Sequence, residues 1–126
     1  MADYIDGFVL PIPCHRLSVY KRVAEAVADI WKEHGALDYR EYVGDDLCLE
    51  GTGSFIDIVA ADRDEIIVFG WVVFDSREAR DRANKKVAAD PRMKSLLEPL
   101  LDSSAPVFDA KRMVYGGFRP LIEFSQ

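Results

Sequence analysis

The sequence predicts an α+β fold on the ferredoxin-like βαββαβ plan, a four-stranded antiparallel sheet with helices on one face that dimerises through the other. Three observations predict it. Residues 17–34 repeat apolar side chains at helical spacing, residues 66–74 form a strand without polar alternation, and the segments follow one another as strand, helix, strand, strand, helix, strand. At 126 residues the chain has the size of one domain, 1–126, and is too short for two independent cores.

Residues 4–13 open the chain with Ile5, Phe8, Val9, Leu10 and Ile12, a first strand expected to end near Pro11 and Pro13 because proline cannot donate to a ladder. From Leu17 the period changes. Tyr20, Val23, Ala24, Val27, Ile30, Trp31 and His34 fall at steps of three and four, one buried stripe, while Lys21, Arg22, Glu25, Asp29, Lys32 and Glu33 face water. Gly35 then suits the left-handed position that ends a helix, and His34 in the last turn complements the helix dipole when protonated.

Residues 36–43 set Leu37, Tyr39 and Val43 against Asp38, Arg40 and Tyr42, a second strand. Residues 44–53, rich in Gly and Asp, are expected to be loop; 55–59 read as a short extended piece and 62–65 as a polar turn. In residues 66–74 every position except Gly70 is β-branched or aromatic, so both faces of this third strand need cover. Asp75 stands three residues before Glu78 at capping-box spacing, ahead of the small stripe Ala79, Ala83, Val87 and Ala88. Asp90-Pro91 suits the N-cap and first position of a further short helix. Pro99, Ser103, Ser104 and Pro106 mark a loop, and residues 111–118 and 121–124 a last extended segment in which Gly116-Gly117 suggests a bulge or a close backbone approach.

Two helices cover one side of such a sheet, yet its third strand is apolar on both. The second side of a monomer would be a large exposed apolar patch, and a second copy of the chain is the simplest cover. A homodimer is therefore expected.

Hydrophobic residues make up 49% and charged residues 30%, the balance of a globular protein. The net charge of -6 opposes a nucleic-acid partner, whose affinity comes from clustered Lys and Arg; the densest basic stretch, 77–94, is diluted by Glu78, Asp81 and Asp90. No apolar run is long enough to cross a bilayer and no basic-then-apolar leader opens the chain, which predicts no membrane partner. Cys14 and Cys48 form no CxxC pattern, which suits reduced thiols in a cytoplasmic protein.

Four motifs carry a family resemblance. Tyr4-Ile5-Asp6-Gly7-Phe8-Val9-Leu10-Pro11-Ile12-Pro13, Trp31-Lys32-Glu33-His34-Gly35-Ala36-Leu37, Asp90-Pro91-Arg92, and Phe108-Asp109-Ala110-Lys111-Arg112-Met113-Val114-Tyr115-Gly116-Gly117-Phe118 resemble the YbaA-like proteins, a bacterial family of unknown function. Ala110 stands where that family's pattern has Gly. The resemblance spans nearly the whole chain and implies the dimeric α/β-barrel fold; it brings no activity, substrate or catalytic residue.

Candidate chemistry is sparse. His34 and Tyr115 are the candidates for a catalytic acid or base, with a capping or packed role the alternative for His34. His15 follows Cys14, and adjacency in sequence does not make their side chains meet. Two histidines without HxH or HxxxH spacing argue against a metal site. Gly51-Thr52-Gly53-Ser54 lacks the Lys of a phosphate loop, and the acids at 45–46 and 62–65 lack the calcium-loop pattern, so no cofactor is expected. Tyr39, Trp71, Asn84, Arg112 and Tyr115 are candidates to line a small-molecule pocket, against core packing for the aromatics and an ion pair for Arg112. Three readings follow: binding of a small apolar or aromatic metabolite, a cofactor-independent monooxygenase- or isomerase-like enzyme by fold analogy, or a purely structural dimer.

Overall fold

The computed structural model describes residues 3–101 and 107–124. In chain order the elements are β1 (Tyr4–Pro13), α1 (Leu17–Glu33), β2 (Asp38–Val43), α2 (Phe55–Ile58), β3 (Glu65–Phe74), α3 (Arg77–Ala89), α4 (Pro91–Leu97) and β4 (Val114–Phe118), with 3-10 turns at Cys14–Arg16 and Glu98–Leu100. The four strands form one antiparallel sheet in the order β2-β3-β1-β4. This is the ferredoxin-like α+β arrangement.

The β1–β3 register, Tyr4 opposite Phe74 through Pro13 opposite Glu65, fixes the two faces of the sheet. Phe8, Leu10 and Ile12 of β1 share the helix side with Val68, Val72 and Phe74 of β3, and Tyr20, Val23, Ala83, Leu100 and Val107 close over them. The apolar stripe of α1 is the part that meets this layer, and its Tyr20, Val23 and Ile30 are buried. The Phe8 ring lies against Gly70. A Cβ there would sit 2.4 Å from the Phe8 ring and 2.8 Å from the Arg40 carbonyl oxygen, so only glycine admits the ring.

The other side of the sheet is divided. Val9 and Ile67 are covered by Val59, with Leu47, Ile56 and Ala61 beside them. Beyond that cover the face is open and apolar: Tyr42, Phe69, Val114 and Phe118 are 47%, 38%, 46% and 57% exposed. Tyr42 stacks on Trp71 at 5.2 Å, and Phe69 meets both Trp71 and Phe55 edge-on, so an aromatic surface replaces the polar one that a solvated sheet face would carry. Past β4, Leu121, Ile122 and Phe124 are also exposed.

Several local expectations are corrected. Residues 55–58 are one helical turn, not an extended piece, because the Ser54 hydroxyl caps it by accepting from the Ile56 N–H. Ser76, not Asp75, caps α3, accepting from the Ala79 N–H. Asp90 caps α4 with Pro91 in its first turn. The last extended segment is only Val114–Phe118; residues 110–112 are a turn and 121–124 lie outside any strand. Gly116-Gly117 pairs in unbroken register with Gly7 and Asp6, without a bulge, and Gly117 instead admits the Tyr4 ring, which a Cβ would clash with at 2.2 Å from its hydroxyl. The expected loop at Ser103, Ser104 and Pro106 lies outside the described residues.

Candidate functional site

Between the helix side of the sheet and α1 and α4 lies a cavity of about 270 Å³. Phe8, Leu10 and Val72 form its floor, Val23, Val27 and Trp31 of α1 one wall, and Met93 and Leu97 of α4 with Phe108 and Met113 the other. Four polar side chains interrupt this apolar lining: Tyr20, Tyr39, Glu41 and Tyr115. A second cavity of about 430 Å³ runs outside it between α1 and β2, and Tyr20, Ala24, Tyr39 and Glu41 line both.

Alternation along β2 puts Tyr39 and Glu41 two residues apart on the helix side, opposite Val72 and Gly70. Glu41 accepts two hydroxyls, one oxygen from Tyr20 and the other from Tyr39 at 2.7 Å. Burial first, and then the Glu41 charge, push both tyrosine hydroxyls well above the usual phenol range, so neither ionises near neutral pH.

At the other side of Phe8 stands a second carboxylate. Asp6 is fully buried in β1, in the same alternating row as Phe8, Leu10 and Ile12. The Tyr115 hydroxyl donates to its Oδ2 at 2.6 Å, and the Arg80 guanidinium of α3 lies 3.4 Å from its Oδ1. Arg80 in turn donates to the Tyr4 hydroxyl at 3.1 Å and sits 5.0 Å above that ring. Burial raises the Asp6 carboxyl above its ordinary 3.8; the Tyr115 hydrogen bond and the Arg80 charge act against this, and Asp81 adds to it. Burial and then the bond to Asp6 push the Tyr115 hydroxyl up.

Of the residues singled out in the sequence, the fold brings Tyr39 and Tyr115 together across Phe8, with ring centroids 6.5 and 5.9 Å from it. It does not bring the others there. Trp71 is on the open face of the sheet, stacked on Tyr42. Asn84 is half-buried on α3 and lines neither cavity. Arg112 braces the start of β3, donating to both Glu65 oxygens at 2.7 Å, to Asp109 at 2.8 Å and to the Ala60 carbonyl at 3.2 Å. His34 ends α1 and pairs with Asp90 at 2.9 Å, tying α1 to the cap of α4 outside the cavity.

Four residues of the site escaped the sequence reading as site residues: Asp6, Tyr20, Glu41 and Arg80. The signal for Asp6 is visible in hindsight, since a carboxylate two positions from Phe8 in a buried alternating row must be paired or protonated. Glu41 stands two positions from Tyr39 on the same side of β2, where both are half-buried. Among the described residues no group of three or more His, Cys, Asp and Glu side chains could hold a metal ion, and no helix is long and apolar enough to cross a membrane.

Residues 3–109 match the family described as protein of unknown function DUF1428. The chain belongs to that family. Its similarity to the uncharacterized protein YbaA of Escherichia coli (strain K12) is 40% identity over 120 residues, covering 95% of this chain and 97% of that one. The fold of this DUF1428 chain is similar to those of a number of solved structures, among them the following two. A dimeric ferredoxin-like protein from an uncultured marine organism has a TM-score of 0.58 at 10% identity, covering 100% and 94% of the two chains. A monooxygenase from the gene ActVA-Orf6 of Streptomyces coelicolor, in complex with the ligand Nanaomycin D, has a TM-score of 0.56 at 17% identity, covering 98% and 91%. At these identities the likeness shows a shared fold.

Proposed function

We propose that this protein, one domain over 1–126, binds a small apolar or aromatic molecule in the cavity on the helix side of its sheet. The carrying observation is the composition of that cavity: an aromatic and methionine lining in which the tyrosine hydroxyls are fixed in advance by two carboxylates, the buried Asp6 and the half-buried Glu41. Ligand sites are built this way, with apolar walls for affinity and a few held polar groups for orientation. The fold neighbour with a bound ligand supports the reading to the extent that the same fold accommodates a small molecule.

The test is a thermal-shift screen of the purified chain against aromatic and quinone-like compounds, with native mass spectrometry to identify any copurified molecule. A ligand present at 100 times its Kd stabilises the folded state by about 2.7 kcal/mol. The shift should vanish in Ala24→Trp, where an indole fills the space shared by the two cavities. No copurified molecule and no stabilising compound would move the reading to a structural dimer.

A second reading, a cofactor-independent enzyme, is favoured by one observation. Asp6 is a buried carboxyl whose proton affinity is raised and which is hydrogen-bonded to a tyrosine at the cavity wall, the arrangement of a group that exchanges a proton with a substrate. Turnover of a ligand found in the screen, lost in Asp6→Asn while binding persists, would establish it.

The working state in either reading is a homodimer closed by the open faces of two sheets. The exposed aromatic surface at Tyr42, Phe69 and Phe118 supports this, and so does the dimeric fold neighbour. A cytoplasmic location fits the exposed free thiols of Cys14 and Cys48.

A further inference from the structure

The cavity has a chemical polarity that narrows its ligand. The Tyr20 and Tyr39 protons are given to Glu41 and the Tyr115 proton to Asp6, so these hydroxyls have only oxygen lone pairs left to offer a guest. Glu41 is itself an acceptor, with about four lone-pair sites of which the two tyrosines use two. Among the described residues no Lys or Arg lines this cavity, and the Trp31 indole N–H is the one side-chain donor not already committed. The outer groove adds one charge of each sign, Lys21 and Glu25.

A guest that brings donors completes this arrangement, and one that brings a negative charge into the inner cavity meets Glu41 with no cation among that cavity's described lining residues to offset it. The rings of Phe8, Trp31, Tyr39 and Phe108 add a preference for positive charge, since a cation is attracted to an aromatic face. We propose that the cavity takes an apolar ligand carrying a protonated amine, its ammonium held by Glu41 at the wall between the two cavities. The proposal rests on the small-molecule reading of the same cavity and specifies the ligand class.

The experiment is isothermal titration of the full chain at neutral pH with three probes that share a phenethyl group: phenethylamine, phenethyl alcohol and phenylpropionate. The amine should bind roughly tenfold more tightly than the alcohol, because a hydrogen bond to a charged group contributes more than a neutral one, and the carboxylate more weakly still. In Glu41→Gln, with folding checked by circular dichroism, the amine should lose its advantage over the alcohol. The wild-type series decides even where that variant does not fold. Equal or tighter binding of the alcohol or the carboxylate overturns the amine assignment and leaves the cavity reading standing. An amine preference that survives in folded Glu41→Gln overturns the role of Glu41. Failure of all three probes, together with a blank thermal-shift screen, overturns both readings.

Discussion

Tyr115 of β4 reaches Asp6 of β1 across 109 positions of sequence and donates its hydroxyl to Oδ2 at 2.6 Å. The bond ties the edge strand to the centre of the sheet and satisfies a carboxylate that would otherwise have only Arg80. One interaction thus closes the sheet and shapes the cavity wall.

Replacing Tyr115 by Phe keeps the ring that stacks on Phe8 and removes only the donor. A buried acceptor left without its partner costs about 1–3 kcal/mol. Urea unfolding of Tyr115→Phe should show a lower midpoint with an unchanged slope. An unchanged midpoint would mean that water replaces the hydroxyl at Asp6.

Asp6 also makes a prediction about pH. Its folded-state pKa lies above the ordinary 3.8, so the folded protein holds this proton more tightly than the unfolded chain. The stabilising contribution is full below 3.8 and is lost as pH rises through the folded-state value. Asp6→Asn removes that dependence. The stability of Asp6→Asn relative to wild type should therefore climb with pH across this window and level off above it, as read by thermal melts at a series of pH values. A relative stability that declines with pH would show that pairing with Tyr115 and Arg80 outweighs burial.

Gly70→Ala tests the packing of the cavity floor. The new methyl group would fall 2.4 Å from the Phe8 ring and 2.8 Å from the Arg40 carbonyl, and the backbone oxygen cannot swing aside as a side chain does. Overpacking of this kind costs about 1–3 kcal/mol. The melting temperature should drop, and the Phe8–Tyr115 stack should loosen in the ring-proton shifts of both residues.

Phe69→Glu puts a carboxylate in the middle of the open aromatic face, between Phe55 and Trp71. Light scattering on a sizing column should give a dimer mass for wild type and a monomer mass for the variant at the same micromolar concentration. A monomeric wild type would remove the argument for a homodimer.

The sequence-level reading succeeded where periodicity and composition agreed. The stripe of α1 and the two-sided apolarity of β3 each impose one solution, and together they led to the right element order. It was weaker wherever facing depends on register. Tyr39 and Trp71 look alike as aromatic residues on strands, yet Tyr39 lies opposite Val72 on the helix side and Trp71 lies opposite Gly7 on the other. A shift of one residue would exchange the two roles. Short apolar runs failed for a different reason. Residues 55–58 are too few to show a period, and the Ser54 cap decides in favour of a helical turn. A lone acid in a strand reads as a solvent-facing residue, and only the fold shows that Asp6 stands in a buried row and that Glu41 lies beside two tyrosine hydroxyls.

The sheet order β2-β3-β1-β4 also has a consequence for how the chain is made. Of the four strands of this sheet, the first to be made is an inner one, and both of its neighbours come later, β3 beginning at residue 65 and β4 at residue 114. Until then β1 has no ladder partner, and its apolar row waits on long loop closures of the kind that slow folding. The Asp6–Tyr115 bond can form only after β4 has been made, so a nascent chain halted before residue 114 would hold a buried-type carboxylate with no tyrosine hydroxyl to donate to it. Assembly of the cavity therefore waits on β4, and a ribosome-bound chain stalled short of residue 114 should stay open to proteases that the chain with β4 in place resists.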